Sequence, residues 1–293
     1  MSNYSIKDVE SLSGIKAHTL RIWEQRYNIL KPKRTDTNIR YYDELDLKLI
    51  LNISVLNKHG HKISKIAQMS EEELREEMIS LSDRTQDASD KIQALTLCMM
   101  DMDEEKFEYL LSQSIKQVGF ENTMLKVIFP FLNRIGILWL AGSVNPAQEH
   151  FMTHLIRQKV IAAIDNLKPN YTEGKRYMLF LPEGEWHELS LLFANYLLRS
   201  RRQRTSYLGQ TLPLGDLKEA YRVCKPDFLF TVITSVPSFH HVQGYINELS
   251  SLFPDTTILL SGSQVVGQGL DTPHNTQIFS KIEDMFEFIE ENF

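Results

Sequence analysis

The sequence has no run of eighteen or more apolar residues, so it contains no segment that would cross a bilayer as a helix. Its first residues, MSNYSIKDVE, lack the charged-then-apolar layout of a signal peptide, and a cytoplasmic protein is expected. Cysteine is scarce. Cys98 and Cys224 lie far apart with no CxxC or Cys/His spacing, so neither a disulfide framework nor a zinc site is indicated, and both read as small core residues. No internal repeat is evident. Basic charge is also short overall, with 32 Lys and Arg against 38 Asp and Glu for a formal net charge of −6, a balance that by itself argues against nucleic acid.

The distribution of that charge reverses the argument. Residues 1–70 hold 12 Lys and Arg against 7 Asp and Glu, a net of +5, which leaves 20 against 31, a net of −11, for the remainder. A small basic head on an acidic body is the electrostatic footprint of a DNA-binding module. With 293 residues, 42% of them hydrophobic, the chain has enough apolar material for two or three cores.

Within the head, Thr19, Leu20, Arg21, Trp23, Glu24, Arg26 and Tyr27 place cations and aromatics on one short helical segment. Ser5 to Ser13 reads as a helix ended by Gly14, and Lys16 to Tyr27 as a second helix with Leu20, Trp23 and Tyr27 on one face. Helix, tight turn and helix is a layout in which the second helix enters a major groove. Guanidinium forks match phosphate oxygens, so Arg21, Arg26 and the loop from Lys31 to Arg40 are expected to engage the DNA backbone. Asp43 to Asn57 reads as a third helix and Ile63 to Met69 as the start of a fourth. The acidic SEEELREEM that follows is expected to be a helical, solvated face, and SDRTQDASD a linker.

Behind the head, Asp90 to Met102, Glu104 to Val118 and Thr123 to Leu140 carry apolar residues at helical spacing. A further helix is predicted from Asn145 and Pro146, a good cap and a good first residue, to Leu167, which completes a four-helix bundle. The rhythm then changes. Short apolar runs at Tyr177 to Leu181, Ser206 to Leu208, Phe228 to Thr234, Thr257 to Leu260 and Gln277 to Phe279 alternate with helical patterns. Alternation of this kind implies a parallel sheet covered on both faces, with ligands at the carboxyl ends of its strands. In the loop after the first strand, Pro182 to Ser190, His187 is well placed to ligate a metal or touch a ligand, with Glu185 able to orient its ring.

The head resembles the MerR family of transcription regulators over roughly its first seventy residues. The resemblance is carried by Tyr4-Ser5-Ile6, Ser13-Gly14-Ile15, Thr19-Leu20-Arg21, Trp23-Glu24, Arg26-Tyr27, Pro32, Arg34-Thr35 and Arg40-Tyr41-Tyr42. It implies a winged helix-turn-helix with Arg34 to Tyr42 as the wing, bound as a dimer to a near-palindromic promoter site in double-stranded DNA. The DNA contacts it implies are Lys16, His18, Thr19, Arg21, Trp23, Arg26, Tyr27, Arg34, Arg40 and Tyr41.

The rest of the chain resembles the cobalamin-binding module of the CarH and LitR branch of that family. Trp139 is followed after nine residues by Glu149-His150, Glu185-Trp186-His187 matches the first half of an acidic-x-His-x-x-Gly loop, and Ser261 to Gly267 is similar to the small-residue turn for the corrin tail. The resemblance implies adenosylcobalamin or another cobalamin as cofactor, with His187 as the lower cobalt ligand. Trp139, Glu149 and His150 would cap the upper face, and Glu185, Ser261 and Gly262 would complete the cofactor contacts. Two positions depart from the pattern: Leu140 stands where light-sensing members carry a second histidine, and Ser190 where the loop ends in glycine.

The expected protein is therefore multi-domain. An α-helical winged helix-turn-helix (1–75) is followed by a four-helix bundle (76–170) and an α/β Rossmann-like, flavodoxin-type parallel sheet (171–293). It is read as a regulator and not an enzyme, homo-oligomeric as a dimer or tetramer, with RNA polymerase or a regulatory protein as further partners. Two readings stay open beside it. In one the second half is a cobalamin-independent dimerisation or partner-binding module; in the other the protein is a corrinoid carrier, which the absence of a substrate-processing domain disfavours.

Overall fold

The computed structural model describes residues 4–30, 32–35, 38–58, 60–70, 73–74, 77, 88–140, 145–168, 174–234 and 242–292. They fall into two compact units, Met1–Leu155 and Ile156–Phe293.

The first unit opens with a short strand β1 (Tyr4–Ser5) and helix α1 (Ile6–Ser13). Ser5 and Asp8 form a reciprocal capping box, and Gly14 at φ 71° ends the helix in the left-handed region that favours glycine. Helix α2 (Ala17–Tyr27) follows after a tight turn. Glu10 fixes the angle between the two helices, accepting the Ala17 main-chain N–H and the Lys16 ammonium, both at 3.0 Å. Strands β2 (Lys33–Arg34) and β3 (Arg40–Tyr42) form an antiparallel hairpin, and β1 pairs with the outer side of β3, giving the order β1-β3-β2. Helix α3 (Glu44–Lys58) closes this small core through Leu47, Ile50, Leu51 and Ile53, and α4 (Ile63–Ile66) buries Ile66.

Helix α5 (Ala88–Asp101) is buried on nearly every side, which marks it as the central helix of the bundle. Helix α6 (Glu104–Val118), capped by Asp103, lays Phe107, Leu110 and Leu111 inward. The next helical run is α7 (Phe120–Thr123), a single π turn at Met124–Ile128, and α8 (Phe129–Leu140). The π turn inserts one residue, so side chains before and after it keep to different faces. Helix α9 (Pro146–Asp165) begins where the Asn145 side chain accepts from Ala147, and its Gln148 donates to the Met100 carbonyl of α5. The expected acidic stretch 70–78 lies mostly outside the described residues, as do most of the linker and Lys31.

The second unit is built on five parallel strands: β4 (Arg176–Pro182), β5 (Arg204–Leu212), β6 (Phe228–Val232), β7 (Thr257–Ser261) and β8 (Thr276–Ile278). Their spatial order is β5-β4-β6-β7-β8, the flavodoxin-type order. Helices α10 (Leu189–Ser200), α11 (Leu214–Cys224) and α12 (Val242–Leu252) make the first three crossovers, and α13 (Ile282–Glu291) follows the last strand. Met178, Phe180, Leu229, Ile258 and Leu260 from the strands meet Leu217, Tyr245, Ile246 and Leu249 from α11 and α12 in one core. The sequence stops and starts of the central strands follow from burial, since β4 and β6 are near-continuous apolar runs covered on both faces. At β5 the strand is longer than the Ser206 to Leu208 core expected, because it is the half-buried edge of the sheet and its polar residues give no alternation.

The doubly wound order places the topological switch point between β4 and β6. The loop that carries His187 leaves the carboxyl end of β4 at that point.

Candidate DNA interface and cofactor loop

Helix α2 buries Leu20 and Trp23 and turns Lys16, His18, Arg21, Gln25 and Arg26 to solvent, with Thr19 and Tyr27 half-buried. Arg26 lies against the Tyr27 ring, its guanidinium carbon 5.9 Å from the centroid. The exposed side is thus a cationic strip along the helix expected to enter a groove. Trp23 corrects the expectation of a DNA contact: it is 7% exposed, packed in the head's core, because the period of the helix puts it on the same face as Leu20. Its part is to hold α2 in place.

The wing is formed by β2 and β3, with Arg34 opposite Arg40 and Lys33 opposite Tyr41. Its tip is closed by the Thr35 N–H on the Ile39 carbonyl and by the Ile39 N–H on the Thr35 hydroxyl, with Asn38 at φ 63°. Arg34, exposed, is aimed by a 2.7 Å bond to the Asn38 side-chain oxygen. Arg40 is a second correction. Its guanidinium is taken up by Glu24 of α2, Nε at 3.0 Å and Nη2 at 3.4 Å, with both side chains largely shielded. A charge so matched is a brace between wing and α2 and not an open phosphate ligand. Tyr41 is half-buried, opposite Lys33 of β2 on one side and Ser5 of β1 on the other.

In the second unit, β4 ends at Pro182 and the chain turns through Gly184 (φ 81°), whose N–H donates to the Thr211 hydroxyl near the end of β5. The turn drives Glu185 inward, to 1% exposure, and leaves His187 68% exposed. One carboxylate oxygen, Oε1, accepts the His187 main-chain N–H at 3.0 Å and meets the imidazole Nδ1 at 2.5 Å. The other, Oε2, accepts the Thr234 N–H at 2.8 Å, just past the end of β6. One buried carboxylate therefore spans the switch point and fixes the imidazole through Nδ1, the arrangement that directs Nε2 toward a metal. Beside it the Thr234 hydroxyl is buried with no hydrogen-bond partner among the described residues, a polar atom at the carboxyl end of the sheet.

The residue after His187 is used differently. Glu188, buried, accepts from Arg157 of α9 at 2.7 Å and from the Tyr207 hydroxyl at 2.9 Å. Burial and the Glu188 charge both push the Tyr207 hydroxyl well above the usual phenol range, so it stays a donor. Sequence reading missed this trio, since its members are 31 and 19 residues apart.

Gly262, expected near a corrin tail, has a closer neighbour. It sits at φ 110°, where a Cβ would fall 2.2 Å from the Ile233 carbonyl oxygen, so the sheet's own backbone demands glycine there. Ser261 donates to the Phe279 carbonyl. Glu149 and His150 lie in the first turn of α9, their side chains 3.5 Å apart, with His150 69% exposed and its ring edge-on to His154 at 6.3 Å. Trp139 and Leu140 end α8, and their side chains lie outside the described set. Ser190 is exposed in the first turn of α10. Arg201, beyond the end of that helix, covers the Phe286 ring at 4.4 Å. No helix among the described residues is long and apolar enough to cross a membrane.

A cationic helix-turn-helix with a wing, followed by a helical bundle and a doubly wound sheet with a histidine at its switch point, defines a DNA-binding regulator with a ligand-binding body. Residues 4–73 match the MerR HTH family of regulatory proteins, and residues 91–163 match the B12 binding domain. The chain is similar to the HTH-type transcriptional repressor CarH of Myxococcus xanthus, at 26% identity over 86% of this chain and 85% of that protein. It is also similar to the repressor CarA of the same organism, at 26% over 76% and 73%. With the HTH-type regulator MlrA of Escherichia coli it shares 36% identity over 69 residues, 24% of this chain and 28% of that one. Among solved structures, the monomethylamine corrinoid protein of Methanosarcina barkeri superposes with a TM-score of 0.53 at 13% identity, over 66% of this chain and 94% of that chain, a likeness of fold alone. The chain thus joins a MerR-type DNA-binding head to a B12-binding domain, the make-up of a DNA-binding transcription regulator.

Proposed function

We propose that the protein is a cobalamin-responsive transcription repressor of the cytoplasm, with the body's occupancy deciding how the head meets promoter DNA. The observation that carries this reading is the Glu185 carboxylate, which holds the His187 imidazole at the switch point from one oxygen and the end of β6 from the other. His187 would be the lower ligand, Glu185 its positioning partner, and Thr234 a polar contact for the corrin. When bound, the corrinoid would supply a cobalt centre for the His187 imidazole to ligate.

Adenosylcobalamin is the form proposed, and Glu149, His150 and Trp139 would be its further contacts. Leu140 cannot supply a second imidazole, so a photochemical switch that depends on one is not part of the proposal. The DNA face is Lys16, His18, Thr19, Arg21, Arg26, Tyr27, Arg34 and Tyr41, acting in a homo-oligomer whose two heads read related half-sites. Ligand changes operator occupancy only to the extent that it binds two assembly states differently.

The test is absorbance of the purified protein titrated with adenosylcobalamin, in darkness and in light. A spectral shift that His187→Ala abolishes supports the reading. A protein that takes up no cobalamin at saturation, with His187→Ala behaving as the unsubstituted chain, returns the body to a dimerisation or partner-binding role.

A further inference from the structure

Helix α8 carries a cation that neither the DNA face nor the His187 loop uses. Arg134 is half-buried, and its Nη2 donates to the main-chain carbonyl of Leu12, 122 residues away in the last turn of α1. Among the described residues no carboxylate pairs with it, and burial alone draws its pKa down. A guanidinium removed from water without an acidic partner is costly, so its place against Leu12 carries a penalty that plain packing by an apolar side chain would avoid.

Its acceptor is not an ordinary carbonyl. The last carbonyls of α1 have no partner within the helix and point at the turn into α2. That turn is already set from two other sides: the Ser13 hydroxyl bonds the Val9 carbonyl and the Ile15 N–H, and Ser54 of α3 donates to the Ser13 carbonyl at 2.6 Å. Arg134 adds a third hold, and it comes from the stretch that matches the B12 binding domain. The same stretch meets the head again along α3, where Gln93 donates to the Leu51 carbonyl at 2.8 Å, and just before it Asp90 takes the Lys58 ammonium at 3.1 Å.

We propose that Arg134 is a positioning residue for operator reading: it ties the helix-turn-helix turn to the ligand-binding module and transmits that module's state to α2. The transmission half rests on the cobalamin reading above; the positioning half does not. Leu12, Ser13 and Gly14 are the hinge on which α2 is mounted, so a shift of α8 along its axis reaches the recognition helix through one bond.

The full chain is compared as Arg134→Met, which keeps length and loses the donors, and Arg134→Lys, which restores one donor. Without cobalamin, amide hydrogen exchange at Ile15 to Leu20 is expected to speed up in Arg134→Met with circular dichroism unchanged, and Arg134→Lys to recover part of the protection. Exchange in both variants equal to the unsubstituted chain overturns the positioning role. With adenosylcobalamin, operator affinity is measured in its presence and absence. The ratio of the two affinities is expected to fall in Arg134→Met by about tenfold, within the usual span of coupling between sites. An unchanged ratio overturns the transmission role, and a protein that shows no cobalamin spectrum overturns the cobalamin reading while leaving the exchange result to stand.

Discussion

Arg40 on the wing and Glu24 on the recognition helix form a forked ion pair, with Nε at 3.0 Å and Nη2 at 3.4 Å, and both side chains largely shielded from water. Removing an acid near DNA ordinarily strengthens binding by relieving repulsion of phosphate. Here the opposite sign is expected. Glu24→Ala releases the wing from α2, and operator affinity measured by fluorescence anisotropy should fall, while Glu24→Gln should lose less. A gain in affinity on Glu24→Ala would show that the pair does not set the wing.

Arg21 and Arg26 stand exposed on the strip of α2 that faces away from the core. Each change to Ala is expected to weaken operator binding by about 1–3 kcal/mol. The melting temperature should hardly move, because both side chains are exposed and Arg26 meets only the half-buried Tyr27 ring. The slope of log affinity against log salt should also become shallower, by about one for each phosphate that the variant leaves unneutralised. Undiminished binding by both variants would remove α2 from the interface.

Glu185→Gln keeps the shape of the anchor but replaces one carboxylate oxygen with an amide nitrogen, which donates and cannot accept. Cobalamin affinity, read from the same absorbance titration as His187→Ala, is expected to drop about 10–100-fold. His187→Ala should abolish the spectral shift and not merely weaken uptake. Equal affinities for Glu185→Gln and the unsubstituted chain would separate Glu185 from the site.

Gly262→Ala places a methyl 2.2 Å from the Ile233 oxygen at a φ of 110°, and the obstacle is backbone, which cannot step aside. A loss of at least about 2 kcal/mol in urea unfolding is expected. Full stability in that variant would mean that the turn after β7 can be rebuilt at little cost.

Cys98 is fully buried, and burial pushes its thiol up to about 12. An acid whose folded pKa is raised contributes stability that is whole below its unfolded value and is lost as pH climbs from there toward the folded one. Above about pH 8.5 the unfolded chain ionises this thiol and the native chain does not, so alkaline conditions favour unfolding. At pH 8 a thiol reagent should leave Cys98 unmodified in the native protein, and modify it at once in denaturant. Mass spectrometry of the labelled peptides gives the answer.

The element map was legible because each half keeps one clear period. Apolar spacing in the bundle and apolar runs in β4, β6 and β7 gave nearly the observed bounds. Strand β1 was not foreseen: two residues carry no period, and it exists only because β3, far along the chain, supplies its partner. The extent of β5 was hidden by Gly209 and by the register shift against β4 between Leu179 and Phe180. At the sites, residue type was readable and direction was not. Trp23 and Arg40 sit in a motif with DNA-facing neighbours, yet one is packed inward and the other is matched by an acid 16 residues away. Glu185 was legible as the partner of His187 because they are two residues apart. Its second oxygen and the reach of Arg134 are long-range facts that no local pattern records.

The bond from Glu185 to Thr234 gives the imidazole a second dependence. Its posture is fixed only when the ends of β4 and β6 lie side by side, so the His187 loop is set only once that pair has formed. Colour developed with a corrinoid would then double as a gauge of strand pairing. A chain that has condensed without zipping those two strands should stay colourless, even with every site residue present.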